Sequence, residues 1–97
     1  MIVSFRTRGT QDVFEGRSTP VARKTCPESL WKVARRKLDQ LQFAHELRDL
    51  ATPPGNHLER LKGDRRGHYS IRINERFRVC FAWTSEGCKH VEIVDYH

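Results

Sequence analysis

The sequence predicts an α+β domain, with helices in its first half and a meander of antiparallel strands in its second. Three observations predict it. Residues 27–41 carry apolar side chains at helical spacing, Pro53-Pro54-Gly55-Asn56 interrupts the chain, and from His68 onward apolar and polar residues alternate. At 97 residues there is room for one modest core, so residues 1–97 read as a single domain.

The opening Met1-Ile2-Val3-Ser4-Phe5 alternates and reads as a first strand, bounded by Thr7-Arg8-Gly9-Thr10. Thr10 is suited to cap a short helix through Glu15, which Gly16 would end. Residues 17–25 are polar, basic and interrupted by Pro20, and read as a flexible loop. Pro27 and Glu28 suit a first helical turn. Trp31, Ala34, Leu38 and Leu41 then form one apolar stripe, with Arg35, Arg36 and Lys37 on the wet side. This helix should lay its stripe on a sheet. It can continue to Leu50, but Pro53, which has no N–H to give, must stop it.

Residues 57–62 form a candidate strand before the turn Gly63-Asp64-Arg65-Arg66-Gly67. In residues 68–73, Tyr69, Ile71 and Ile73 share a face; in residues 76–83, Phe77, Val79, Phe81 and Trp83 do. Asn74-Glu75 can join the two as a hairpin, and Ser85-Glu86-Gly87 makes a second turn. Residues 89–95 give the next strand, with Val91 and Ile93 inward.

A chain that is 37% hydrophobic and 31% charged has enough apolar side chains to fold, and a wet surface. No stretch approaches the roughly 20 apolar residues that span a bilayer. Residues 1–6 are too short and too soon charged for a signal peptide, whose apolar region runs roughly 7–15 residues. The expected location is the cytoplasm, away from membranes. Cys26, Cys80 and Cys88 are odd in number and lack a close ligand pair. His45, His57, His68, His90 and His97 lack the spacing that sets two imidazoles on one helix face. Neither a metal nor a cofactor is expected. The net charge of +6 points instead to a polyanion, because Lys and Arg displace counterions from phosphates. From His57 to Arg78 there are seven basic residues against three acidic ones, which concentrates the charge on the predicted strands and turns.

Strand parity sets Arg76 and Arg78 opposite the Phe77-Val79-Phe81-Trp83 face, so both guanidinium groups can converge on an open surface. A planar fork that donates two parallel hydrogen bonds suits a phosphate. The same parity also describes an ordinary solvated strand face. Asp95, Tyr96 and His97 follow an apolar strand directly and supply a carboxylate, a phenol and an imidazole in succession. Imidazole titrates near neutrality and can protonate a leaving group, while the other two can orient or accept a proton. An exposed histidine and a tyrosine at a core edge are the plain alternatives.

The stretch Leu61-Lys62-Gly63-Asp64-Arg65-Arg66-Gly67, then Tyr69-Ser70-Ile71-Arg72-Ile73-Asn74, Phe77-Arg78-Val79-Cys80-Phe81 and Val94-Asp95-Tyr96-His97, resembles the HigB/GraT-type toxins of the RelE/ParE superfamily. The opening five residues and Glu46-Leu47-Arg48-Asp49-Leu50 through Asn56 are similar to the same group. The resemblance covers nearly the whole chain and is loosest over residues 17–25. It implies a compact RelE-like domain with an antiparallel sheet packed against N-terminal helices. It further implies a bacterial type II toxin that enters the A site of the 70S ribosome and cuts mRNA without a metal. A helix-turn-helix antitoxin of the HigA/GraA type would neutralise it, and operator DNA would be met only through that complex.

By the same resemblance, Lys62, Arg78, Asp95, Tyr96 and His97 match positions associated with cleavage. Glu59 departs from HigB proteins, which can carry a histidine there, and agrees with GraT-like sequences; the two residue types do not share a charge or a proton role near neutral pH. It either accepts a proton or is a surface residue. The permitted chemistry is attack of a 2′-hydroxyl on the neighbouring phosphate. Arg78 and Lys62 would meet the developing charge, Asp95 or Glu59 would activate the nucleophile, and His97 with Tyr96 would protonate the leaving oxygen or orient the nucleotide. Tyr96 stacking on a base is the other option. Arg65, Arg66, Arg72 and Arg76, with Arg35, Arg36 and Lys37, read as rRNA-docking groups or as plain solubilising charge. Two competing functions are a gyrase-directed, ParE-like poison that only binds, and an RNA-binding module that affects ribosome assembly.

Overall fold

The helical stripe and the alternating strands meet along one plane. The structure, a computed structural model, describes residues 1–96; the candidate His97 lies outside the described residues. Helix α3 (Trp31–Phe43) buries Trp31, Ala34, Leu38 and Leu41, the stripe that its spacing predicts. These residues join Ile71, Val79 and Phe81 of the sheet in one core cluster. Each fully enclosed leucine contributes about 1.5–3 kcal/mol. The helix starts a turn later than expected, after a 3₁₀ turn at Glu28–Leu30, and Trp31 Nε1 ties its entry to the Cys26 carbonyl (3.0 Å). It does not continue to Leu50. Ala44 is extended, and a reciprocal cap between Glu46 and Asp49 starts a separate 3₁₀ turn, Leu47–Ala51.

Two short helices precede α3. Helix α1 (Arg8–Glu15) is capped by Thr7, whose Oγ1 accepts from the Thr10 amide, and ends at Gly16 in the left-handed region (φ 76°). Thr10, expected as the cap, is instead fully buried one turn in, and its Oγ1 accepts the Ile93 amide of the sheet at 3.0 Å. Residues 20–25, expected within a flexible loop, form helix α2 (Pro20–Thr25). Thr19 caps it, Pro20 occupies a first-turn position where no N–H is needed, and Ala22 is buried. Gly9 lets α1 and α2 touch: a Cβ there would lie 1.9 Å from Thr25 Oγ1.

The sheet has four strands in the order β1 (Glu59–Arg60), β2 (His68–Arg72), β3 (Phe77–Thr84) and β4 (Gly87–Asp95), all neighbours antiparallel. β1 is shorter than residues 57–62. The opening residues are not a regular strand. They run parallel to β4 through bridges at Ile2–Cys88 and Phe5–Val91, around a shift in the β3–β4 register between Cys80 and Ala82 and a left-handed His90 (φ 56°). β3 is buried without interruption from Phe77 to Ala82. Its second face, expected to be open, is buried at Arg78, Cys80 and Ala82, as are its neighbours Ser70 and Leu61. Among the described residues, no helix is long and apolar enough to cross a membrane.

Candidate active site

Antiparallel partners share a face, so the second face of the sheet can be read by rows. One row runs Glu59, Ser70, Cys80, Glu92; the next runs Arg72, Arg78, Val94. Arg78 is only 9% exposed, and neutral oxygens hold its guanidinium. Nε donates to Ser70 Oγ at 2.8 Å, and Nη2 donates to the Ser70 carbonyl at 3.3 Å and to the His57 carbonyl. Nη1 lies 3.7 Å from Glu59 Oε1, on a side chain that is 59% exposed. Neutral acceptors orient a cation without cancelling its charge, so Arg78 is preorganised to meet an anion.

The His57 carbonyl reaches Arg78 because the preceding loop is pinned from below. Asn56 is fully buried; its Nδ2 donates to Gln40 Oε1 (2.6 Å) and the Leu50 carbonyl (3.0 Å), and its Oδ1 accepts from Lys37 Nζ (2.5 Å). His57 follows in the left-handed region (φ 45°), one of two non-glycine residues there among the described residues. Such a conformation is held by its surroundings.

The end of β4 is fixed by a different device. Arg76 donates through Nε to Asp95 Oδ1 (2.9 Å) and through Nη2 to Oδ2 (2.7 Å), and its guanidinium lies over the Phe77 ring, 5.6 Å from the centroid. The bond to Asp95 holds the Arg76 guanidinium above its ordinary pKa. Asn74 Oδ1 accepts the amides of Arg76 (2.9 Å) and Phe77 (2.7 Å), which closes the β2–β3 turn. The Tyr96 amide donates to the Arg76 carbonyl at 2.5 Å.

Together these elements enclose a cleft of about 350 Å³ lined by His57, Glu59, Arg72, Arg78 and Tyr96, with Asn74 and Glu75 of the turn. It offers fixed positive charge beside a carboxylate, an imidazole and a phenol. A larger groove of about 590 Å³ over Leu47, Ala51 and Leu58 is apolar, and its charged residues Glu46 and Arg48 pair with each other at 2.9 Å. The smaller cleft is therefore where chemistry can occur.

Residues 3–97 match the sequence profile of the HigB-like toxins, RelE-like toxins of type II toxin–antitoxin systems. The chain belongs to the HigB-like toxin family. A protein named Toxin HigB-1 from Vibrio cholerae is 42% identical over 57 residues, which are 59% of this chain and 60% of that protein. An uncharacterised protein from Haemophilus influenzae is 40% identical over 57 residues, 59% of this chain and 56% of that one. The chain thus spans less than two thirds of the length of either relative. The helices packed on an antiparallel sheet are those of a RelE-like fold.

In this HigB-like chain the residues singled out from sequence fall into separate places. Glu59, Arg72, Arg78 and Tyr96 come together in the cleft. Asp95 sits beside it, held by Arg76. Lys62 is exposed just past β1 and is not among the described residues lining the cleft. Arg65, Arg66 and Arg36 are exposed, and Arg35 is half-buried. Two expectations need correction. Arg76 and Arg78 do not converge on an open surface, because β3 begins only at Phe77 and Arg76 turns to the end of β4. Lys37 does not lie on a free wet face: its ammonium is bonded to Asn56, and burial, with Arg36 adding repulsion, lowers its pKa.

Ser70, His57, Asn74 and Glu75 were missed. Parity alone places Ser70 opposite Tyr69 and Ile71, but only the β2–β3 register puts it under Arg78. For His57 the available signal was a histidine directly after a proline-rich break.

Proposed function

We propose that this HigB-like toxin is a ribosome-dependent endoribonuclease that cuts mRNA in the A site and thereby stops translation and growth. The observation that carries the reading is Arg78, a cation buried on neutral acceptors in a cleft that also presents Glu59, His57 and Tyr96. A scissile phosphate placed against Arg78 Nη1 would meet a charge that is already oriented, so little reorganisation accompanies the reaction.

In the proposed step the 2′-oxygen attacks phosphorus, the O2′–P bond forms and the P–O5′ bond breaks. The 2′-hydroxyl proton passes to Glu59, and O5′ takes a proton from an imidazole, with His97, the residue after Tyr96, as the assigned donor. The products are a 2′,3′-cyclic phosphate and a 5′-hydroxyl, and Arg78 supplies the cationic charge without a metal. Tyr96 orients the nucleotide or stacks on its base. Lys62, Arg65 and Arg66 dock rRNA from outside the cleft. A helix-turn-helix antitoxin of the HigA type is the proposed neutralising partner, and the cytoplasm, where ribosomes work, the proposed location.

Primer extension on translating ribosomes tests this. The wild-type chain should give codon-positioned cuts that Arg78→Ala abolishes, and a matched DNA strand, which lacks the nucleophile, should stay intact. Growth arrest with no cuts would instead favour a poison that acts by binding.

A further inference from the structure

Arg78, Glu59 and Tyr96 of the cleft have roles in the reading above, whereas the Arg76–Asp95 pair beside it has none that its geometry explains. We propose that this pair is a clamp that positions Tyr96 over the cleft, making Arg76 and Asp95 positioning residues rather than an rRNA-docking cation and a proton acceptor. The inference rests on the nuclease reading.

Register supplies the first argument. Asp95 pairs with Phe77, and Val94 pairs with Arg78. Asp95 therefore has the parity of the core face and Val94 that of the cleft face, to which Tyr96 returns. Consistent with this, Tyr96 lines the cleft and Asp95 is not among the described residues that do.

Arg76 supplies the second, because it grips two consecutive residues at once. Its side chain takes both carboxylate oxygens of Asp95 in a fork, and its carbonyl takes the Tyr96 amide. Arg76 is itself held by Asn74 through its amide and by the Phe77 ring under its guanidinium. A fork fixes angle as well as distance.

The third argument is what lies beyond. Among the described residues, Phe77–Asp95 is the last pair of the ladder, and the outer edge of β4 is taken up by the N-terminal segment as far as Ile93, through Thr10. Strand ends with few bonds open readily. Tyr96 is 45% exposed, so burial holds it only in part, and the proposed task of the clamp is to keep the phenol over the cleft that Arg78 also lines.

The test uses the full chain on programmed ribosomes, with Arg76→Ala, Asp95→Ala, Arg76→Lys and the charge-exchanged pair Arg76→Asp/Asp95→Arg. Each alanine variant should slow single-turnover cutting about 10- to 100-fold, the scale on which a shift of ~1 Å acts. Ribosome affinity should be unchanged, and hydrogen exchange at the Tyr96 amide faster. The exchanged pair should recover much of the lost rate and slow that exchange again, and Arg76→Lys, with charge but no fork, should fall between wild type and alanine.

Exchange restored at Tyr96 with no recovery of cutting would mean that Asp95 acts on the substrate itself and would overturn the clamp. Weakened ribosome binding by Arg76→Ala, the docking outcome, would overturn it too, as would full activity in either alanine variant. If the exchanged pair restores neither quantity, Arg76→Lys decides, and a rate no better than Arg76→Ala counts against the clamp. A wild-type chain that makes no cuts would sink the nuclease reading instead. Tyr96 exchange would then judge the clamp, with no change in the alanine variants overturning it.

Discussion

Arg76 and Arg78 stand two residues apart and carry the same charge, yet the fold uses them in opposite ways. Arg76 has a side chain 61% exposed and bonded directly to a carboxylate; Arg78 has one 11% exposed and bonded to a hydroxyl and two carbonyls, with the exposed Glu59 carboxylate no nearer than 3.7 Å. Matching a charge with a charge makes a strut. Holding a charge with neutral oxygens leaves its field available to a ligand, at the cost of desolvating the cation. The setting of an arginine, more than its presence, decides whether it can serve a phosphate.

The widest gap between the two should open on removing Arg78. Arg78→Ala should lower the cutting rate about 10²- to 10³-fold, as loss of a preorganised donor does, and Arg78→Lys nearly as far because an ammonium cannot span Ser70 and His57. Single-turnover cleavage on programmed ribosomes measures both. If Arg76→Ala proved the more damaging, the contrast would be reversed.

Ser70→Ala probes the neutral support. It leaves the buried Arg78 Nε without its hydroxyl partner and should cost about 1–3 kcal/mol of stability in urea unfolding, with slower cutting at unchanged ribosome affinity. A variant as stable and as active as wild type would show that Ser70 does not set the guanidinium.

Salt should separate the two arginines without any mutation. At 1 M ionic strength the screening length is about 3 Å, so the exposed Arg76–Asp95 pair should loosen while the enclosed bonds of Arg78 persist. Tyr96 amide exchange should quicken with added KCl more than exchange at the Ser70 amide within β2. Parallel responses would erase the distinction.

The smallest effect concerns Cys80, which lies on the Arg78 face. Burial pushes its thiol up to about 11, with Glu92 adding to the rise and the charges of Arg65 and Arg78 opposing it. Arg78→Ala should therefore raise the thiol further, whereas Arg76→Ala should leave it alone, as followed by thiolate absorbance. Cys26 and Cys88 are also pushed up to about 11 by burial from an ordinary 9.0. Because the folded thiols keep protons that the unfolded chain loses, this stability is intact below about pH 9 and is lost as pH rises towards about 11. Urea midpoints across that range check the sign.

Legibility in the sequence followed the range of the interactions. The stripe Trp31-Ala34-Leu38-Leu41 and the face Phe77-Val79-Phe81 are periodic, and both pack as the period requires. Helix α2 was hidden because six residues carry too little periodicity, although Thr19 and Pro20 form a legible start signal. Thr7 and Thr10 are equivalent as local caps, and only the distant Ile93 amide decides between them. Within the site, Arg78 and Tyr96 were marked by residue type, whereas Ser70 and the His57 carbonyl enter through register and loop geometry, which no local pattern encodes.

The seam between the opening residues and β4 also bears on the order in which the fold assembles. The Ser4–His90 and Thr10–Ile93 bonds close loops of 86 and 83 residues, while the β2–β3 and β3–β4 hairpins each close over a few. Long closures have the larger entropic toll and tend to come late in folding. The nascent molecule would thus assemble its two hairpins, β2–β3 and β3–β4, with Arg78 and Tyr96 early, and dock the N-terminal segment on β4 last. During refolding, the β3–β4 ladder amides should gain protection before the His90 and Ile93 amides, whose acceptors lie in the N-terminal segment.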